Sequence, residues 1–415
     1  MAVTGALLDL RPLRSSPAFR RLWIGTTLSG FGSQMTLVAV MYQVWQQTGS
    51  TVWTGAVGLA QALPVVVFGL FAGALADRAE RRRLALLTTA GCAACTGLLA
   101  VQGLLGPAPV MVVLVLVAVQ SCVGAAGGPV ARSYLPHLLR REQLGAGLAL
   151  NHLSFQASML VGPAVGGLVL GWSGVSGCYL VDTVSFGLAF VGVRGLPALP
   201  PAGGPAVSGA RAVADGLRFL AGHRVVRTAL LTDLAATVLA MPISLFALMN
   251  TTWFDGDPRT FGLFLTAIAV GGLIASALSG TYSGLARPQP VMLGASAVWG
   301  AALALFGLAG GPWLGLGCLV VAGAADTVAV VSRGTVVQLH TPAGLLGRVA
   351  AAEQIVGQAG PDLGNMRAGL VARLTSGPVA LASGGVLCVL AVTALAAGGG
   401  RRQASGAERL SPDRA

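Results

Sequence analysis

Lysine is absent from this chain of 415 residues, and acidic residues are few: 14 Asp and Glu stand against 26 basic residues, every one of them Arg. Charged residues make up only 10% of the sequence, where an ordinary soluble domain carries roughly 25%. That shortage excludes a well-solvated globular surface. No GxxxxGK[ST] phosphate loop occurs, which argues against ATP-driven transport by this chain. The six cysteines, Cys92, Cys95, Cys122, Cys178, Cys318 and Cys388, all lie inside apolar runs. Cys92 and Cys95 have metal-pair spacing but no second pair and no nearby His, so all six read as packing residues. No metal or cofactor is expected. Neither a dense His or Asp cluster nor a nucleophile motif suggests an enzyme.

What is present instead is apolar: 54% of residues are hydrophobic, and the mean hydropathy is +0.77. A bilayer core about 30 Å thick is crossed by about 20 helical residues at about 1.5 Å each, so the chain has room for about twelve spans. Apolar runs bounded by Gly, Pro or Arg fall at 20–46, 52–76, 84–105, 109–131, 144–171 and 174–195. A second series follows at 225–249, 260–285, 289–310, 312–332, 347–373 and 378–398. Continuous runs of this length are helices, because the strands of a membrane barrel alternate in polarity every second residue. The expected fold is an all-α polytopic membrane protein, with twelve transmembrane helices in two pseudo-symmetric six-helix bundles. Its expected parts are an N-terminal half (1–196), a linker (197–223), a C-terminal half (224–399) and a tail (400–415).

The net charge of +12 sits in short Arg clusters between apolar runs, which points to membrane orientation rather than to nucleic acid. Arg11, Arg14, Arg20 and Arg21 precede the first run, Arg78 and Arg81 to Arg83 follow the second, and Arg132, Arg140 and Arg141 follow the fourth. The alternate connections 46–51, 105–109 and 171–174 carry no basic residue. Both termini are therefore expected in the cytoplasm. The run from Leu22 is long and continuous, so no cleaved signal peptide is expected. In the linker, Val213, Leu217 and Leu220 share a helical face, as in a short helix lying on the inner membrane surface.

The halves repeat. Gly124-Ala125-Ala126, then Arg132, then Gly162-Pro163-x-x-Gly166 recurs about 200 residues on as Gly323-Ala324-Ala325, Arg333 and Gly360-Pro361-x-x-Gly364. Internal repeats with a binding site at their interface are a recurring transporter architecture.

After the second run comes Gly73-Ala-Leu-Ala-Asp77-Arg78-Ala-Glu80-Arg81-Arg82-Arg83. Gly73 permits close approach of a neighbouring helix, and Asp77 can pair with cationic groups in one conformation and release them in another. The Arg residues also fix topology. This segment resembles the G-x-L-x-D-R-x-G-R-R loop of the major facilitator superfamily, with Glu80 in place of its second Gly. Across nearly the whole chain, SSPAFRRLW, GALADRAERRR, LVDTVSF and TPAGLLGR resemble bacterial exporters grouped with the enterobactin exporter. The resemblance implies efflux of a siderophore or drug-like compound, and a gating motif formed by Gly73, Asp77, Arg78, Arg81 and Arg82. Ser158-x-x-x-Gly162-Pro163-Ala-Val-Gly166-Gly167 is similar to the superfamily's antiporter motif, with Ser158 in place of its first Gly. Physically, Pro163 removes a helix hydrogen bond and the glycines lower side-chain bulk, giving a bend and close packing expected at the interface of the halves, although such packing occurs in other membrane helices too. The fourth run has Gln120 but no central Arg, where many proton-coupled exporters of the superfamily carry one.

Charged residues inside spans are expensive and therefore candidates for function. Asp326 and Asp362 lie deepest, Asp233 and Glu353 nearer the cytoplasm, and Asp182 in the outer half. Carboxylates that gain and lose a proton couple proton flow to substrate movement, the alternative being interhelical hydrogen bonding. Arg367 does not stack on Asp362 and is expected to snorkel toward the outer interface, with a substrate role as the other reading. Gln34, Gln43, Asn151, His152 and Gln156 are candidates for the substrate cavity, Asn151 and His152 foremost.

The chain thus reads as a proton-coupled secondary exporter of a small amphiphilic molecule, working as a monomer in a bacterial cytoplasmic membrane. Its expected partners are the substrate, protons and the lipid bilayer. An importer or facilitator of the same fold, and a non-transporting sensor or scaffold, stay open.

Overall fold

A computed structural model of the chain describes residues 9–78, 80–106, 108–125, 127–198, 214, 218–282, 287–342 and 345–408. Within these, the side chains of 69–78, 128–129, 132–133, 141, 280, 346–348, 350–352, 354–355, 358 and 398–408 are not described.

Among the described residues every regular element is helical. The first part holds α1 (Arg11–Ser15), α2 (Pro17–Thr48), α3 (Thr51–Arg78), α4 (Arg81–Leu105), α5 (Val110–Gly124), α6 (Gly127–Leu138) and α7 (Leu144–Arg194). There follow α8 (Arg224–Ala240), α9 (Phe246–Phe254), α10 (Pro258–Ala277), α11 (Ser279–Tyr282), α12 (Pro288–Leu308), α13 (Pro312–His340), α14 (Leu346–Leu374) and α15 (Gly377–Glu408). Ends are set by ordinary local chemistry. At the start of α2, Pro17 occupies the first turn, where its missing N–H costs nothing, and the Phe19 N–H donates to Ser16 Oγ at 3.2 Å. The helix stops at Gly49, whose φ of 57° suits glycine and whose N–H closes on the Trp45 carbonyl at 2.7 Å.

By length and composition, eight helices are able to cross a membrane among the described residues. One is the 51-residue α7, interrupted at Gly174 with φ 67° and ψ −170°, a conformation open to glycine and strained for other residues. This break falls where the apolar runs 144–171 and 174–195 meet. Outward faces are apolar: Leu105, Trp172, Trp313 and Leu374 are each more than 70% exposed, a pattern suited to lipid and not to water.

The chain forms two compact units, Met1–Ala212 with Phe246–Thr266, and Val213–Leu245 with Ala267–Ala415. In the first, α2 runs along α7 and α4 packs on α7 as well. Trp45 Nε1 donates to Thr251 Oγ1 at 3.0 Å, tying α2 to α9. In the second unit, α12 packs on α13 and α15, and α14 on α8. Of the linker's expected amphipathic face, Val213 and Leu217 lie outside the described residues. Its third member, Leu220, is 2% exposed, in a cluster with Val226, Leu230, Met292 and Val336.

Candidate functional site

The Gly162-Pro163-x-x-Gly166-Gly167 segment sits on the first arm of α7, inside the first unit. A Cβ at Gly162 would come within 2.6 Å of Gln34 Cβ, and one at Gly166 within 3.1 Å of Met35 Cα, so both glycines let α2 touch α7. Gly167 faces elsewhere: its Cβ would lie 2.9 Å from the Arg259 carbonyl oxygen, at the start of α10. Gly262 of α10 in turn abuts the Pro163 carbonyl. Pro163 removes the N–H that would have bonded to Met159, giving this stretch the freedom to bend between its two neighbours.

The repeat copy in the second unit uses the same device. Gly360 and Gly364 of α14 meet Thr237 of α8, and Gly364 also packs on Met241. There α8 ends at Ala240, and Pro242 follows. A helix end leaves carbonyls without partners, a serious cost in a lipid-facing protein. Arg367 of α14 takes up part of that need, its Nη1 donating to the Leu239 carbonyl. Close by, Trp299 Nε1 of α12 donates to the Ala236 carbonyl at 3.3 Å, and the N–H of Ser244, past the helix end, donates to Asn365 Oδ1 at 3.0 Å. Ser244 Oγ returns a bond to the Asn365 carbonyl at 2.8 Å, with both residues at most 3% exposed.

This corrects the expectation that Arg367 snorkels to the membrane surface. An unpaired carbonyl lies within its reach, and Gly384 leaves space for the guanidinium. Arg367→Met is expected to destabilise the protein by about 1 kcal/mol, the low end for a carbonyl left unbonded because this one is only partly buried, and Arg367→Lys by less. Heat-induced loss of monodisperse protein in detergent measures both. Wild-type midpoints for both variants would reject the role.

The second unit also holds a cluster of charge. Arg333 of α13 pairs with Asp233 of α8, and Glu353 of α14 lies within Coulombic reach of the same guanidinium. Two turns from Arg333 on α13, Asp326 opens onto a cleft of about 10 Å³ shared with Thr232, Asp233, Ser296, Trp299 and Arg333. That volume is at the threshold for a single water, too small for a bulky substrate, and Asp326 is exposed overall, so its carboxyl is not confined to the cleft. Asp362, half-buried on α14, has no hydrogen bond or ion pair among the described residues. Sequence reasoning left Arg333 out of the candidate site, although it stood in the internal repeat, directly after the apolar run 312–332.

Asp182 lies apart from these, on the second arm of α7 in the first unit. Fully buried, it accepts from Thr36 Oγ1 at 2.7 Å and from Ser185 Oγ at 3.2 Å, and Gly32 makes room for it. The structure places Gln43 in a similar knot rather than on a cavity wall. It exchanges amide hydrogen bonds with Gln102 at 3.0 and 3.1 Å and accepts from Tyr179 Oη at 2.7 Å, because paired amides satisfy each other in an apolar setting. Gln34 is half-buried beside Gly162. His152 is exposed on α7, while Asn151 and Gln156 are half-buried. Spacings of four, eleven and fifteen residues put His152, Gln156, Pro163 and Gly167 on one helical face. Of the gating motif, Arg81 and Arg82 open α4, while the side chains of Gly73, Asp77 and Arg78 lie outside the described residues.

Apolar helices, a proline-containing glycine seam in each unit and a charge cluster inside one of them define a polytopic membrane transporter. The sequence profile of the transmembrane secretion effector family matches residues 8–403, and the chain belongs to that family of major facilitator transporters. It is 30% identical over 395 residues to the enterobactin exporter EntS of Shigella boydii serotype 18, covering 94% of each chain. The same identity and coverage hold for EntS of Escherichia coli (strain 55989 / EAEC). Among solved structures, a mutant of the nucleoside transporter NupG matches with a TM-score of 0.75 at 13% identity, over 92% of this chain and 99% of that one. A mutant of the peptide transporter POT matches with a TM-score of 0.74 at 12% identity, over 93% and 95% of the two chains. These structures share the fold.

Proposed function

We propose that this transporter is a proton-coupled antiporter that exports a small amphiphilic molecule, of siderophore, antibiotic or drug character, across a bacterial cytoplasmic membrane. The observation that carries the reading is the doubled glycine–proline seam, α7 on α2 and α14 on α8, which supports two pseudo-symmetric six-helix halves, 1–196 and 224–399, each packed by the same device. The direction rests on the 30% identity to EntS along nearly the full length of both chains. In this reading the chain crosses the membrane twelve times, both termini and the 197–223 linker and 400–415 tail are cytoplasmic, and one chain works alone.

His152 and Gln156 line the substrate path, on the α7 face that continues into Pro163 and Gly167, with Asn151 and Gln34 at its edge. Asp326 and Asp362 carry the coupling protons, with the Asp233–Arg333–Glu353 cluster sensing their charge. Gly73 and Asp77 gate.

The test is transport of a panel of siderophores and amphiphilic antibiotics into everted vesicles, with and without an uncoupler. Accumulation of one compound that the uncoupler abolishes is the expected result. Asp77→Asn is expected to insert normally and to transport about tenfold more slowly, the effect of about 1.4 kcal/mol of lost gating interaction. Uncoupler-insensitive movement down a gradient would reduce the protein to a facilitator, and wild-type rates for Asp77→Asn would remove the gate.

A further inference from the structure

The first unit contains a cavity of about 310 Å³ among its own helices. Its walls come from α2, α4, α5, α6 and the second arm of α7. None of the lining residues belongs to the first arm of α7, so the cavity is separate from the His152–Gln156 face. Of the lining residues, Leu22, Tyr134, Val193 and Leu196 pack together in one apolar cluster, and Ser33, Cys92, Gly124 and Phe186 add to the wall.

The space is built into the sequence. Gly124 and Gly127 line it, yet a Cβ on either would meet only Cys92 Sγ at 3.7 Å or Thr88 Oγ1 at 3.8 Å, both ordinary contacts. Unlike Gly25, whose Cβ would lie 2.8 Å from Ala189 Cα, these glycines do not serve close helix packing. They leave a volume unfilled that a larger side chain would occupy, and unfilled apolar volume costs stability.

The walls also specify what fits. No Asp, Glu, Arg or His lines the cavity among the described residues, so the occupant is uncharged. Four hydroxyls on the wall already donate to their own helices: Thr26 to the Leu22 carbonyl at 3.0 Å, Ser29 to Thr26 at 3.2 Å, and Thr88 and Thr89 to Ala85 at 3.0 and 2.7 Å. Their remaining capacity is to accept, while Ser33 on the same wall has no hydrogen bond among the described residues and can donate or accept, so a matching ligand carries hydroxyl groups on an apolar body. A cavity of about 150 Å³ holds benzene, and one about twice that size suits two fused rings. We propose that this cavity is a ligand site for a neutral, bicyclic, hydroxyl-bearing amphiphile, located within the first unit and separate from the proposed transport path.

The probe is 2-naphthol, with the anion 2-naphthoate as its charged counterpart, on the full-length protein in nanodiscs. Naphthol fluorescence is expected to show a saturable component absent from empty nanodiscs and absent for naphthoate. Gly124→Leu and Gly127→Leu are each expected to weaken it about tenfold or more, whereas His152→Ala leaves it unchanged. In a variant whose only cysteine is Cys92, naphthol is expected to slow maleimide labelling at the same concentrations. The proposal is overturned if binding does not saturate, as when lipid fills the cavity, if naphthoate binds equally, or if both leucine variants bind like wild type while eluting as monodisperse protein. Binding needs no transport cycle, so its outcome is independent of the antiport reading.

Discussion

Arg333→Ala is expected to cost about 3 kcal/mol of stability, the low end for breaking a buried ion pair by removing one partner. The low end applies because the Arg333 and Asp233 side chains keep 17% and 12% of their surface exposed. What makes the loss large is the company Arg333 keeps. Asp233 pairs with it directly, Glu353 senses its charge, and Asp326 opens onto the same cleft, so its removal leaves three carboxyls and no cation at the centre of the cluster. A carboxylate stripped of its partner in such a setting avoids the desolvation penalty only by taking up a proton or by pulling water into the unit. Removing both charges, as in Asp233→Leu with Arg333→Met, should recover most of the loss, because an apolar pair carries no desolvation cost. Midpoints of heat-induced aggregation in detergent would order the variants, with the double variant between Arg333→Ala and wild type. An Arg333→Ala midpoint equal to wild type would mean that the pair holds nothing together, and the reading of the cluster as a coupled unit would fall with it.

The glycine–proline seams and the break at Gly174 were legible in the sequence because their causes are local. A proline in an apolar helix or a glycine between two apolar runs restricts its own backbone, whatever packs around it. The partners of polar side chains were not legible in the same way. Gln43 reads as a lone cavity amide until Gln102 and Tyr179, distant in sequence, are brought beside it. Arg367 was misplaced because its spacing from Asp362 was the only local guide, while its true partner is a carbonyl of α8 that exists only because that helix ends at Ala240. Met241-Pro242 carried the missing signal: a proline after an apolar helical run marks a stop, and a stop inside an apolar unit needs donors from elsewhere. Arg333 is the converse case, visible in the repeat but without a role until α8 and α13 place Asp233 against it.

Two glycines on one helix give the sharpest contrast in expected outcome. Gly323→Leu should abolish folding to a monodisperse protein, while Gly317→Leu, six residues earlier on α13, should leave it intact. At Gly323 a Cβ would run into the backbone of Ile268 on α10, and reciprocally a Cβ at Gly271 of α10 would run into the Val320 carbonyl of α13. Neither clash can be relieved by turning a flexible side chain, since backbone meets backbone on both sides. Overpacking in an adaptable core costs about 1–3 kcal/mol, and here either a helix must move or the contact must open, so the loss should reach the upper end or exceed it. Gly317 meets nothing within 4 Å, and its replacement removes the penalty of about 1 kcal/mol that glycine carries inside a helix. Elution profiles of fluorescently tagged variants separate the two directly, with Gly323→Ala expected between them. If Gly323→Leu eluted like wild type, α10 and α13 would have to accept a wider crossing, and the seam between them would be a loose contact instead of a fixed one.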